Sequence, residues 1–162
     1  MDIRTVTIIA GSILVALILE AIGIASLIIY TENNYILNLN NTSPDVVDSV
    51  KFLFGYGITT IIFGSLWIIF IIIKILYDLP APSIKDNLYS LYITGQIFNV
   101  VFTIIIILLG FIFSLGFYLG FKNVKYEIWG IYLSIIILTP ISLIACIVVA
   151  FINTCYPCIG LD

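Results

Sequence analysis

The chain has 162 residues, of which 62% are hydrophobic and only 9% charged, with a formal net charge of −3 and a mean hydropathy of +1.26. Soluble domains carry about 25% charged residues, so this composition excludes an ordinary water-soluble fold and points to helices in lipid. No cluster of Lys or Arg is present, which argues against nucleic-acid partners and polybasic headgroup binding, and the lack of histidine removes imidazole-ligated haem and metal sites and imidazole proton transfer.

Four apolar stretches stand out, over residues 6–30, 52–76, 93–121 and 129–152. Each is long enough to cross the hydrocarbon core as a helix. They are too continuously apolar for barrel strands, which alternate over about ten residues. The expected fold is all-α: one transmembrane domain over residues 1–162, a four-helix bundle with short loops. No separate soluble domain has room. The first stretch is too long for a cleavable signal peptide and lacks a nearby small-x-small cleavage pattern.

In the first span, Ser12, Ala16 and Glu20 recur in steps of four, flanked by Gly11 and Gly23. Small and polar residues on one helix face let backbones approach closely in lipid. Glu20 is the one ionisable residue in the core of any span. An intramembrane carboxyl is costly unless neutralised or paired, and is by default a functional candidate. Two readings follow: a proton or cation site, or a polar contact that fixes helix or subunit packing. Depth and chemistry suggest Thr59, Thr60, Gln96, Asn99, Thr139 and Ser142 as partners. The membership of Glu20 in a stripe with Ser12, Ala16 and Gly23 favours the packing reading.

The longest connection, residues 31–50, contains Glu32, Asp45, Asp48 and several Asn. Thr42-Ser43-Pro44-Asp45 has the chemistry of a helix start: a hydroxyl, a proline in the first turn, then an acid. The second helix is therefore expected to begin near Pro44 and to enter lipid near Phe52. Asn40-Asn41-Thr42 and Asn41-Thr42-Ser43 match the glycosylation pattern, a match that arises easily in an Asn-rich loop. Gly57 and Gly64, with Thr60 between them, make the packing face of span two. Trp67 lies too deep for an interfacial belt and is expected to pack inside the bundle or against another subunit. Pro80 and Pro82 close this segment.

Residues 83–92 read as a short surface helix or as a wet extension of span three, with Ser83 and Asp86 resembling a capping box. Span three presents Gly95, Asn99, Thr103, Gly110 and Ser114 on one side, with Gln96 beside them, and a second small pair, Gly116 and Gly120, near its end. Its amides are expected to hydrogen-bond across helices. In span four, Ser142, Cys146 and Ala150 repeat in steps of four, and Pro140 predicts a kink or local opening.

The tail carries Cys155-Tyr156-Pro157-Cys158. A C-x-x-C pair permits a redox dithiol or half of a metal site. Its place beside the last span resembles four-helix membrane oxidoreductases that recycle quinone. Those enzymes feed the pair from further loop cysteines, whereas the only other cysteine here is Cys146, inside span four. The leading reading is an inert or locally structural pair, with lipidation as another fate for juxtamembrane thiols. No phosphate loop, dinucleotide fingerprint, protease motif or carboxylate pair is present.

The reading that best fits the sequence is a non-catalytic membrane component, an accessory or structural subunit, with no metal or cofactor. Its partners are the lipid bilayer and other membrane subunits or further copies of itself. The alternatives are a small proton, ion or solute transporter using Glu20, and a thiol oxidoreductase using Cys155 and Cys158. The expected location is the cell membrane. Arg4, Lys74 and Lys85 on the side of the termini balance Lys51, Lys122 and Lys125 on the other. The free amino terminus and the acidic first loop tip the orientation towards cytoplasmic termini.

Overall fold

The structure is a computed structural model that describes residues 3–38, 43–78, 85–120 and 126–155. Four helices hold nearly all of them: α1 (Ile3–Asn33), α2 (Pro44–Asp78), α3 (Lys85–Gly120) and α4 (Tyr126–Cys155). A short 3-10 helix, Asn34–Asn38, continues the chain beyond α1. No strand occurs among the described residues. All four helices are long and apolar enough to cross a membrane, over Thr5–Asn33, Pro44–Leu76, Leu91–Gly120 and Ile128–Ile152. The protein is thus a multi-pass membrane protein with an all-α bundle fold.

The helix limits follow local chemistry. α2 starts where its sequence predicts: the Ser43 carbonyl accepts from the Val46 and Val47 amides at 3.1 and 3.3 Å, and Pro44 occupies the first turn, where its missing N–H costs nothing. α3 begins at Lys85 without a break before Leu91, so the wet extension of span three is the arrangement adopted. α4 runs through Pro140 as one helix. The proline ring lies on the exposed side, while the Thr139 and Ser142 hydroxyls donate to the carbonyls of Ile135 and Leu138 at 2.8 and 2.6 Å. Local hydroxyl bonds of this kind help to accommodate proline in a lipid-embedded helix.

The helices form a ring. α1 packs on α2 and α4, and α3 on α4 and α2; the α1–α2 contact is the most extensive and α2–α3 the least. Two core clusters fill the interior. One joins Ile8, Val15, Leu19, Trp67, Ile107, Cys146 and Val149, and the other joins Ile22, Val50, Leu53, Tyr56, Ile128, Tyr132 and Ile135. Trp67 is fully buried, as its depth predicts, and its Nε1 donates to Thr103 Oγ1 at 2.9 Å.

Tyr56 and Tyr132 lie near the ends of their spans, where aromatic side chains usually face the membrane interface, yet both are buried. The reason is contact with neighbouring groups, for Tyr132 across helices. Tyr132 donates to the Ser49 carbonyl at 2.8 Å, and Tyr56 stacks on Phe52 with ring centres 5.1 Å apart. Phe52, Phe113, Phe117 and Tyr132 form a contiguous aromatic group there, with Phe117 5.4 Å from Tyr132. Such pairs contribute about 0.5–1.5 kcal/mol each beyond area burial.

Glycines set the helix spacing. A Cβ on Gly23 would lie 2.6 Å from Ile61 Cγ1, 2.7 Å from Thr60 Oγ1 and 2.9 Å from the Gly57 carbonyl oxygen. One on Gly57 would meet the Gly23 carbonyl oxygen at 3.0 Å, and one on Gly11 would meet Val149 Cγ2 at 2.7 Å. Gly95 faces Phe70, and Gly110 faces Tyr56, closely enough that a side chain would collide with either ring. Ser12 and Ala16 are buried on the same inner face of α1, and Ser114 on that of α3. Gly116 and Gly120 behave differently from the packing pair the sequence suggests. A Cβ on either would meet nothing within 4 Å, because their side of α3 has turned outward at the end of the bundle.

Candidate functional site

Consecutive α1 and α2 run antiparallel. Gly23 opposes Gly57 and Thr60, while Glu20, one turn earlier, opposes Gly64, one turn later. The pairing puts Glu20 midway along α1 beside the middle of α2. Gly64 makes the space: its Cβ would come within 3.0 Å of Glu20 Cγ and Oε1. The next residue supplies the partner, with Ser65 Oγ donating to Glu20 Oε1 at 3.0 Å.

This site is at the rim of the helix pair rather than in the bundle interior. Glu20 is half-buried, and Ser65 is exposed on the outer surface. The flanking Leu17, Ile24, Ile62, Ile68 and Ile69 are exposed as well, so the carboxyl and its hydroxyl partner form a polar notch in an apolar belt. Hydrocarbon offers no hydrogen bonds, and a lone Asp at the centre of a spanning helix costs about 2.5–3.5 kcal/mol on insertion scales. The Ser65 bond and the close Gly64 backbone offset part of the corresponding cost for Glu20.

The polar residues suggested as partners of Glu20 do other things. Thr60 is buried in the α1–α2 contact but donates to the Tyr56 and Gly57 carbonyls of its own helix, each at 3.0 Å. Thr59 donates to the Gly55 carbonyl at 2.8 Å. Thr139 and Ser142 serve the backbone of α4. A hydroxyl on a helix satisfies itself on the preceding turn at little cost, which removes these groups as partners. Ser65 escaped the sequence reading because it lies beside the Gly57–Thr60–Gly64 face. Counting residues inward from the span ends at equal depth leads to Ile62, about one turn short of Ser65, so the exact helix register is needed to find it.

Gln96 and Asn99 occupy a separate place. They are buried on the inner face of α3, in one stripe with Thr103, Ile107, Gly110 and Ser114. Thr103 bonds Trp67, whereas both polar atoms of the Asn99 amide, the Gln96 Oε1 and the Ser114 Oγ have no hydrogen-bond partner among the described residues. The cross-helix amide bonds expected for this stripe are thus not formed by Asn99. An unsatisfied buried amide costs about 1–3 kcal/mol, so this stripe is polar at the expense of stability. No hydrogen bond among the described residues joins Glu20, Thr60, Gln96, Asn99 and Ser142 to one another.

Among the described residues no group of three or more His, Cys, Asp or Glu side chains is placed to hold a metal. Cys146 is a free thiol buried in the core between α1 and α4. Cys155 ends α4, but its side chain, and all of Cys158, lie outside the described residues, as do Asn40–Thr42 of the glycosylation pattern.

No protein-family model matches the chain, and neither a curated protein nor a solved structure matches it.

Proposed function

We propose that this chain is a non-catalytic integral membrane component that works by binding other transmembrane helices, with Glu20 and Ser65 as the polar centre of the contact. The observation that carries the reading is the half-exposed Glu20 carboxyl at mid-span, hydrogen-bonded to an outward-facing Ser65. Left against acyl chains, the rest of that carboxyl goes unpaired. Against a neighbouring helix with an amide, hydroxyl or second carboxyl, it is satisfied. The partner is another membrane subunit or a further copy of the chain, and the assembly belongs in the cell membrane with both termini cytoplasmic.

Transport through Glu20 has less support. The carboxyl opens sideways, and the buried amides of α3 lie on a different helix face with no hydrogen bond to it. The thiol-enzyme reading rests on Cys155 and Cys158, for which no side-chain geometry bears on the chemistry.

Mild-detergent extraction tests the proposal. The wild-type chain is expected to emerge in an assembly larger than one copy. Glu20→Leu should weaken it by roughly five- to thirtyfold, the equivalent of the about 1–2 kcal/mol of a polar contact between spanning helices. Glu20→Gln, which keeps an acceptor and gains donors, should stay largely assembled. Circular dichroism should show equal helicity for all three. A monodisperse wild-type monomer would overturn the reading, and a reconstituted proton or solute flux abolished in Glu20→Gln would move the function to transport.

A further inference from the structure

Far from Glu20, the outer surface of the bundle opens into a groove of about 440 Å³ between the first turns of α2 and the last turns of α3. Its lining combines two unlike sets of groups: the carboxylates of Asp45 and Asp48, and an apolar floor that includes Phe113 and Phe117 beside Gly116 and Gly120. The two glycines give the groove its width, since a Cβ on either would meet nothing within 4 Å. The volume falls in the range of about 300–1,000 Å³ usual for small-ligand clefts.

Depth orders these groups. Asp45 and Asp48 precede the apolar stretch that begins at Phe52 by one to two helical turns, and both are exposed. They stand at headgroup level, while Phe113, about two turns inside α3 from its Gly120 end, reaches acyl-chain level. An occupant must therefore be cationic at one end and apolar along the rest. Neither carboxylate has an ion-pair or hydrogen-bond partner among the described residues.

We propose that this groove is a binding site for an ethanolamine phospholipid. Its primary ammonium, with three N–H donors, sits at the Asp45 and Asp48 carboxylates, and one acyl chain lies along Phe113 and Phe117 over the two glycines. Ionised donor–acceptor pairs of this kind are stronger than neutral ones. A choline headgroup has no N–H to give the carboxylates and keeps only attraction to the aromatic faces. An anionic glycerol headgroup is repelled. A metal cation or free amine makes no use of the apolar floor.

Native mass spectrometry of the purified protein in detergent tests the site, after addition of equimolar ethanolamine, choline and glycerol phospholipids with identical chains. The wild-type protein is expected to retain the ethanolamine lipid in roughly fivefold excess over each of the others, a margin in keeping with a single interfacial charge contact. Asp45→Asn with Asp48→Asn should bind all three alike. Gly116→Leu, which fills open space and leaves the helix packing alone, should lower retention of every lipid. Equal retention by the wild type, a preference for the glycerol lipid, or an ethanolamine preference unchanged in the double Asn variant would each overturn the proposal.

Discussion

At the scale of single residues, helix contacts here are decided by what is missing. Gly23 is the least forgiving example, because two of the three atoms its Cβ would meet cannot easily withdraw. The Gly57 carbonyl is backbone, and Thr60 is held by two bonds to its own helix. Gly23→Ala is therefore expected to push α1 and α2 apart and to cost about 1–3 kcal/mol, the range for overpacking a tight interior. Gly130→Ala is the matched control: it meets nothing within 4 Å and should be neutral or slightly stabilising, by up to about 1 kcal/mol from helix propensity. Thermal or denaturant unfolding in detergent reads both, and an equal response at the two positions would show that close approach at Gly23 does not matter. The small-residue stripe containing Gly23 is visible in the sequence. Its partner surface is not, because periodicity names a face without naming what it meets. The same gap separates Glu20, which stands out by charge, from Ser65, an ordinary residue that only helix pairing brings to it.

At the scale of helices, the apolar stretches and their punctuation carried most of the information. The Ser43-Pro44 start of α2, the extension of α3 to Lys85 and the burial of Trp67 all follow from chemistry local to one segment. Burial of Tyr56 and Tyr132 does not, since Tyr56 lies against Gly110 of α3, and Tyr132 against Ser49 of α2 and Phe117 of α3. Pro140 shows how a local rule is softened. Proline removes a backbone donor in mid-helix, yet α4 continues through it with its ring towards lipid and with the Thr139 and Ser142 hydroxyls on nearby carbonyls. Pro140→Ala restores the donor and takes away only exposed surface. It is expected to raise stability by no more than about 1 kcal/mol, well below the cost of a proline in a soluble helix interior. A loss above about 2 kcal/mol in the same unfolding assay would mean that the shape proline imposes on α4 is itself required for packing.

At the scale of the whole molecule, the ring of four antiparallel helices places the start of α1, the end of α2, the start of α3 and the end of α4 on one side of the membrane. The end of α1, the start of α2, the end of α3 and the start of α4 lie on the other. The fold fixes which segments share a side, but the face they occupy depends on charge, and the basic residues divide three against three. Acidic residues influence orientation only weakly, so the side-chain charges of this chain favour neither orientation strongly. Ile3 and Asp45 are both exposed and lie on opposite sides, which makes them suitable reporters. In a background with Cys146, Cys155 and Cys158 replaced by Ala, a membrane-impermeant thiol reagent should label Asp45→Cys in intact cells. Ile3→Cys should react only after permeabilisation. The reverse pattern would invert the orientation and place the Asp45–Asp48 groove in the cytoplasmic leaflet. Labelling of both variants in intact cells would show that the chain inserts both ways, which a three-to-three balance permits. In that case two oppositely oriented copies would present their Glu20–Ser65 notches at the same depth, because both groups lie near the middle of their helices.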